Sequence, residues 1–191
     1  MKVRYAVDMS VPGRFGPEGE GDLHLRVSKA MKKLHGAFSG LGKCFAIDLP
    51  MYGTASSLSV IRVFAESREA LESLVGEVDE RFAQINVRIG TLREIPDGFE
   101  GKWVVCRRYR IPSRKKEIGM DKSFRAARML HADQQRMAHF TLRSGSNGNA
   151  YRIYVQREEV GSSVHANNDL IGRVDAYGLS SAEAPVILPV L

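Results

Sequence analysis

The sequence predicts an α+β protein with two parts, a first half of alternating strands and helices and a smaller second half built around a β-hairpin. Two observations support this fold class. In the first half, apolar residues recur with helical spacing in two stretches, and short alternating runs of apolar and polar residues surround them. In the second half, two alternating runs flank SGSNGNA, whose Gly, Ser and Asn residues are typical of a turn.

Six elements of the first half follow the order strand, helix, strand, strand, helix, strand. The first strand is predicted over residues 3–9, and the first helix opens after Asp22 and stops at Gly40 and Gly42. Ser67 is suited to cap the second helix, because its hydroxyl can accept a hydrogen bond from a backbone N–H group. The other strands are predicted over residues 45–49, 58–65 and 85–89. This order is that of the ferredoxin-like βαββαβ fold.

The turn-rich segment PDGFEG, residues 96–101, is predicted to be a linker. We therefore predict a ferredoxin-like domain over residues 1–95 and a smaller C-terminal domain over residues 102–191. The predicted elements of the second domain are a strand (102–109), a helix capped by Asp121 that reaches about Met137, the hairpin (139–157), a short strand (173–177) and an apolar tail (185–191).

The composition is that of an ordinary globular chain of 191 residues, 43% hydrophobic and 26% charged. The N-terminus alternates apolar and polar residues, and no stretch approaches the roughly 20 apolar residues that span a membrane. We therefore expect a cytoplasmic protein without a membrane partner. Cys44 and Cys106 stand alone in apolar surroundings and are interpreted as structural thiols.

Positive charge is concentrated in one segment. Between Lys102 and Arg136 there are eleven Lys and Arg residues against three acids, a local balance of +8. The whole chain carries +6, so the remainder sums to −2. Such a segment indicates a surface that binds a polyanion, although a solvated basic face is the common alternative.

The turn of the hairpin gathers groups that suit a phosphate. Ser144, Ser146 and Asn147 offer hydroxyl and amide groups, while Gly145 and Gly148 expose backbone N–H groups. The same residue types also build ordinary turns in every class of protein, so the tip alone does not decide between the two interpretations.

Three short motifs follow one another along the chain: KKLHGAF at residues 32–38, TLRSGSNG at 141–148 and YGLS at 177–180. Together with the ferredoxin-like first half and the basic helix, they resemble the repeat-processing endoribonuclease of type I-F CRISPR systems. The resemblance implies cleavage of a CRISPR transcript at the base of each repeat hairpin without a metal or other cofactor. It also implies that the protein stays on the product hairpin within a type I-F surveillance complex. We expect a monomer when the protein is isolated.

The implied reaction is attack of a ribose 2′-hydroxyl on its own phosphate, leaving a 2′,3′-cyclic phosphate and a 5′-hydroxyl. It needs a base, an in-line ribose and donors to the phosphate oxygens. By the resemblance, His35 is the catalytic histidine, Ser144 holds the attacking ribose and Tyr177 positions the histidine. Ser146 and Asn147 correspond to residues that contact the scissile phosphate.

RNA recognition is assigned by the same resemblance. Tyr151 corresponds to an aromatic residue that stacks on the terminal base pair of the hairpin, a core strand aromatic being the alternative. Arg108 and Arg110 correspond to linker residues that read the lowest base pairs, although the best-known family members carry Gln at the position of Arg110. The other residues assigned to RNA binding lie in or before the basic helix: Arg114, Lys115, Lys116, Lys122, Arg125 and Arg128.

Two alternatives stay open. The first is a non-catalytic RNA-hairpin-binding module of the same fold. The second is a metal-dependent nuclease that uses acids such as Asp8 and Asp48, which we disfavour because no His or carboxylate spacing resembles a metal site. Ser144 as a nucleophile is also disfavoured, since the sequence lacks a nucleophile-elbow pattern.

Overall fold

The structure is a computed structural model that describes residues 1–12, 17–54, 56–112, 122–145, 147–161 and 172–191. In these ranges the chain forms three helices and two antiparallel sheets, which confirms the α+β class. Some predicted residues lie outside the described ranges: Arg114, Lys115, Lys116, Asp121 and Ser146. No helix in the described part of the chain is both long enough and apolar enough to cross a membrane.

The first sheet has the strand order β2–β3–β1–β4, with β5 paired to β1. Its strands are β1 (Tyr5–Ser10), β2 (Ala46–Asp48), β3 (Val60–Ala65), β4 (Arg88–Ile89) and β5 (Arg93–Glu94). Every pairing is antiparallel. The first four strands have the predicted ferredoxin-like order, whereas β5 was not predicted.

Two helices share a core with this sheet. Helix α1 (Pro17–Leu41) starts earlier than the sequence predicts and buries Val27, Met31 and Leu34 on one side. Helix α2 (Arg68–Ala83) is capped as predicted, because the Ser67 hydroxyl accepts a hydrogen bond from the backbone N–H of Ala70 at 3.2 Å.

The second sheet contains the predicted hairpin. Its strands are β6 (Trp103–Tyr109), β7 (His139–Arg143), β8 (Ala150–Val160) and β9 (Leu188–Pro189), in the order β7–β8–β6–β9. Helix α3 (Lys122–Gln134) precedes the hairpin. The apolar tail supplies an edge strand, as expected. The prediction of a strand over residues 173–177 is wrong. Val174 makes only an isolated bridge to Ser180, and a turn follows it.

One hydrophobic core joins the two sheets. Its buried residues include Val7 and Leu34 from the first half, and Phe140, Val155 and Leu179 from the second. The domain boundaries drawn from the sequence stay a prediction, since the halves are packed together through this core.

A buried ion pair also joins the sheets. The carboxylate of Asp48, which is 0% exposed, accepts hydrogen bonds from Arg157 Nε at 2.7 Å and Nη2 at 3.2 Å. The Cys106 thiol donates to the same carboxylate at 3.1 Å. Burial, followed by the charge of Asp48, raises the pKa of Cys106, which keeps the thiol protonated as a donor. Cys44 and Cys106 are both free, the first exposed and the second buried.

Candidate active site

His35 lies on α1 at the border between its buried and exposed faces. Its neighbours Leu34 and Phe38 are buried, while the His35 side chain is partly buried. The imidazole stacks on the ring of Tyr177, with the ring centroids 4.4 Å apart and an interplanar angle of 20°. Stacking occupies a face of the imidazole, whereas the ring nitrogens lie on its edge. The arrangement therefore fixes the plane of His35 without using its nitrogens.

The turn that carries Tyr177 is organised by Asp175. The Asp175 Oδ1 atom accepts the backbone N–H groups of Tyr177 at 2.9 Å and Leu179 at 3.1 Å. The Gly178 N–H donates to the Asp175 carbonyl at 2.9 Å. Short Asp side chains commonly close such turns in this way. The backbone on both sides of Tyr177 is therefore held.

Gly178 anchors the turn to the first sheet. The Ile47 N–H donates to the Gly178 carbonyl at 2.9 Å, and the Ser180 N–H donates to the Cys106 carbonyl at 2.8 Å. Gly178 has φ +77, and a Cβ there would lie 3.0 Å from the Phe45 carbonyl oxygen. Glycine is the residue that tolerates both the positive φ and this close approach. The turn is thus wedged between β2 and β6.

The tip of the hairpin holds Ser144 and Asn147. The Ser144 N–H donates to the Asn149 carbonyl at 3.0 Å, and the Gly148 N–H donates to the Ser144 carbonyl at 3.0 Å. The Asn147 side-chain oxygen accepts the Asn149 N–H at 3.0 Å. Ser144 is partly buried and Asn147 is exposed. The described part of the tip therefore forms a closed turn at the end of the second sheet.

Tyr151 connects the hairpin to Tyr177. It lies opposite Leu142 in the β7–β8 ladder, two positions before Ser144 on the partner strand. Its hydroxyl is hydrogen-bonded to the Tyr177 hydroxyl, with 3.0 Å between the oxygens. A continuous chain of contacts therefore runs from the hairpin through Tyr151 and Tyr177 to His35.

The environment of Tyr177 keeps its phenol neutral. Burial, followed by the hydrogen bond and charge of Tyr151, raises the pKa of Tyr177 to about 12. The Arg108 guanidinium lies over the Tyr177 ring, 5.7 Å from its centroid, and acts in the opposite direction. Arg108 is thus the predicted RNA-reading residue that the structure places beside the stacked pair.

The arginines of α3 contact the segment that follows β6. Arg125 Nη1 donates to the Pro112 carbonyl at 2.9 Å, and Arg128 Nε donates to the Arg110 carbonyl at 2.7 Å. The Arg128 guanidinium also lies 4.0 Å above the Tyr109 ring. These two arginines therefore help to hold the segment of residues 110–112, a role that the sequence did not suggest. Lys122 is the first residue of α3.

The two acids of the metal-dependent alternative are both ion-paired. Asp8 binds Arg62 at 2.6 Å and Arg93 at 2.6 Å, while Asp48 binds Arg157. Burial alone would raise the pKa of Asp8, but the hydrogen bonds and charges of the two arginines outweigh it and lower that pKa. Across the part of the chain that the structure describes, no group of three or more His, Cys, Asp or Glu is placed to hold a metal ion.

Two histidines, His24 and His139, pack together on the face of the hairpin opposite Phe140 and Leu142. His24 Nε2 is 3.0 Å from the Thr141 hydroxyl, and the rings of His24 and His139 are 4.9 Å apart. The His139 ring also contacts Tyr154. Burial lowers the pKa of both histidines, and the charge of Arg152 lowers it further. This cluster links α1 to β7 and was not predicted.

A family model matches most of the chain. It is the model of the family described as CRISPR-associated protein (Cas_Csy4), and it matches residues 14–189. The chain belongs to the Cas_Csy4 family. The match spans all three motifs and confirms the resemblance drawn from them. No curated protein matches the chain significantly. As a Cas_Csy4 protein, the chain is assigned to CRISPR RNA processing by a nuclease.

Two features of the candidate site in this Cas_Csy4 protein were not predicted from its sequence: the role of Asp175 and the contact between Tyr151 and Tyr177. Asp175 carried a readable signal, because an Asp shortly before Tyr-Gly is typical of a turn. The hydroxyl contact between Tyr151 and Tyr177 carried none, since no local pattern pairs two tyrosines on separate elements.

Proposed function

We propose that this Cas_Csy4 protein cleaves CRISPR precursor RNA at the base of the repeat hairpin without a metal ion. The observation that carries the proposal is the stack of His35 on Tyr177, which is joined to the hairpin through Tyr151. It offers a positioned base that is linked by contacts to a hairpin whose tip bears a hydroxyl and an amide.

The chemistry follows from the groups present. His35 accepts the proton of the ribose 2′-hydroxyl, the O2′–P bond forms, and the P–O5′ bond breaks to leave a 5′-hydroxyl that takes up a proton. The product end is a 2′,3′-cyclic phosphate. Ser144 holds the attacking ribose, and Asn147 and Ser146 contact the phosphate. Tyr177 keeps the imidazole plane fixed, so the ring edge can face the sugar.

Recognition is assigned to the basic residues. Arg108 lies beside Tyr177 and is therefore close to the base of a bound stem. Arg110 belongs to the segment after β6 whose carbonyls are bound by Arg125 and Arg128. The other proposed phosphate contacts are Arg114, Lys115, Lys116 and Lys122. Strong cationic binding would retain the product hairpin and allow assembly with other subunits of a surveillance complex.

The test uses the repeat hairpin of the accompanying CRISPR array in the presence of a chelator. We expect the wild type to cleave it, and His35→Ala to lose at least about 100-fold in single-turnover rate. Hairpin affinity should change by less than about twofold, since His35 takes part in proton transfer and not in RNA binding. Ser39→Ala is the matched control: it lies one turn further along α1, is exposed, and removes only a hydrogen bond to the His35 carbonyl at 3.0 Å while leaving the imidazole in place.

Three results would contradict the proposal: cleavage by His35→Ala at the wild-type rate, dependence on a divalent metal, or cleavage of RNA that lacks the 2′-hydroxyl upstream of the scissile phosphate. Binding without cleavage by the wild type would instead identify the protein as a hairpin-binding module.

A further inference from the structure

The hydroxyls of Tyr151 and Tyr177 contact each other, but no bond made or broken in the proposed reaction involves them. The two oxygens are 3.0 Å apart, so one hydroxyl donates and the other accepts. Both side chains are partly buried against the shared core. A hydrogen bond screened from water in this way is stronger than one that competes with solvent.

The strand geometry directs Tyr151 toward the core. Successive side chains of β8 alternate between the two faces of the sheet. Tyr151 pairs with Leu142, and Ile153 pairs with Phe140, and these partners are buried. Arg152 is exposed on the opposite face. The position favours the interpretation of Tyr151 as a core-facing strand residue over that of a stacking platform for RNA.

Tyr177 is held at both ends. Its backbone is fixed by the carboxylate of Asp175, and its hydroxyl is fixed by Tyr151. Stacked rings can slide over one another with little change in energy, so the stack alone does not fix where Tyr177 holds His35. The hydroxyl contact supplies the missing restraint, and it does so from the strand that leads away from the Ser144 tip.

We propose that Tyr151 is a positioning residue, whose hydroxyl sets His35, through Tyr177, relative to the hairpin that carries Ser144. This inference rests on the proposed cleavage reaction. It assigns to Tyr151 an effect on the rate of the chemical step and none on RNA affinity.

The experiment is a double-mutant cycle with Tyr151→Phe and Tyr177→Phe, both of which keep the rings and remove one hydroxyl. Each single variant should slow single-turnover cleavage by roughly 2- to 10-fold, the equivalent of one lost hydrogen bond. The double variant should be no slower than the singles, because the same contact is already lost. Hairpin affinity should stay within about twofold of the wild type.

Tyr154→Phe is the matched control. Tyr154 lies on the same strand, but its side chain is on the face opposite Tyr151 and its hydroxyl accepts a hydrogen bond from Arg152. Its removal should leave the cleavage rate unchanged. A wild-type rate for Tyr151→Phe, a loss confined to hairpin affinity, or a double variant whose loss is the product of the two single losses would each overturn the inference.

An NMR measurement gives a second readout. The His35 ring protons should be shifted upfield by the Tyr177 ring, and Tyr151→Phe should move them toward their unstacked positions while Tyr154→Phe does not. Slower cleavage with unchanged His35 signals would overturn the inference, because Tyr151 would then act on the RNA directly. If the wild type cleaves no repeat hairpin, the proposed function fails, and the NMR comparison alone decides whether Tyr151 positions His35.

Discussion

Replacing Gly178 with Ala tests how tightly the Tyr177 turn is wedged against the first sheet. Gly178 has φ +77, a conformation that costs an alanine about 1–2 kcal/mol. The added Cβ would also lie 3.0 Å from both the Phe45 carbonyl oxygen and Ile47 Cγ2. Relieving these contacts requires the turn to move and endangers the Ile47–Gly178 hydrogen bond, worth about 0.5–1.5 kcal/mol. The expected total is about 1.5–3.5 kcal/mol.

A loss of this size should lower the melting temperature by about 3–14 °C in a chain of this length. Thermal unfolding followed by circular dichroism measures it. Gly98→Ala is the matched control, because Gly98 has φ +72 but no atom within 4 Å of a Cβ placed there. The control should lose only the stability that a positive φ costs an alanine, about 1–2 kcal/mol.

Cleavage should separate the two variants further. Displacement of the turn moves Tyr177 from His35, so Gly178→Ala should cleave the repeat hairpin at least about 10-fold more slowly, and Gly98→Ala should cleave normally. Equal melting temperatures for the two variants, together with equal cleavage rates, would refute the reasoning that a close approach holds this turn in place.

Three further predictions concern stability and binding. Asp48→Asn should lower the free energy of unfolding by about 3–5 kcal/mol in guanidinium titrations, because it leaves the Arg157 charge buried without its partner; a change below about 1 kcal/mol would contradict this. Burial lowers the pKa of His24 and His139, so the unfolded state binds more protons, and stability should fall as pH drops below about 6.5. Denaturation at several pH values checks this, and a His24→Gln, His139→Gln variant with an unchanged slope would argue against it. Hairpin affinity should fall steeply with salt: the logarithm of the binding constant should decrease with the logarithm of the salt concentration by roughly 0.7–0.9 per phosphate contacted. A flat dependence would exclude binding through phosphate contacts.

Elements with strong local signals could be predicted from the sequence. The Ser67 cap, the SGSNGNA hairpin and the apolar stripe around His35 are each set by residues close together in the chain. The family could be recognised for the same reason, since its motifs are short and contiguous. Local patterns of this kind depend on backbone preferences and periodicity, which act over a few residues.

The contacts that join the halves could not be predicted. The apolar–polar alternation of residues 173–177 suggested a strand, but the Asp175 carboxylate captures the backbone and forms a turn. Asp48 is an acid inside the apolar run FAIDLP, a position that requires a buried partner for its carboxylate. No local pattern identifies Arg157 as that partner. Helical periodicity predicts that Arg125 and Arg128 share a side of α3, but it does not predict that they bind the carbonyls of Pro112 and Arg110.

The proposed active site is complete only when Tyr177 has reached His35. The stack joins a residue of the first helix to one that is translated only after strands β1 to β8. Pairings between such distant positions form late, because the long loop between them must first be closed. A nascent polypeptide that stops short of Tyr177 therefore holds its imidazole without an aromatic partner. Synthesis of the YGLS turn is therefore the step that completes the proposed active site.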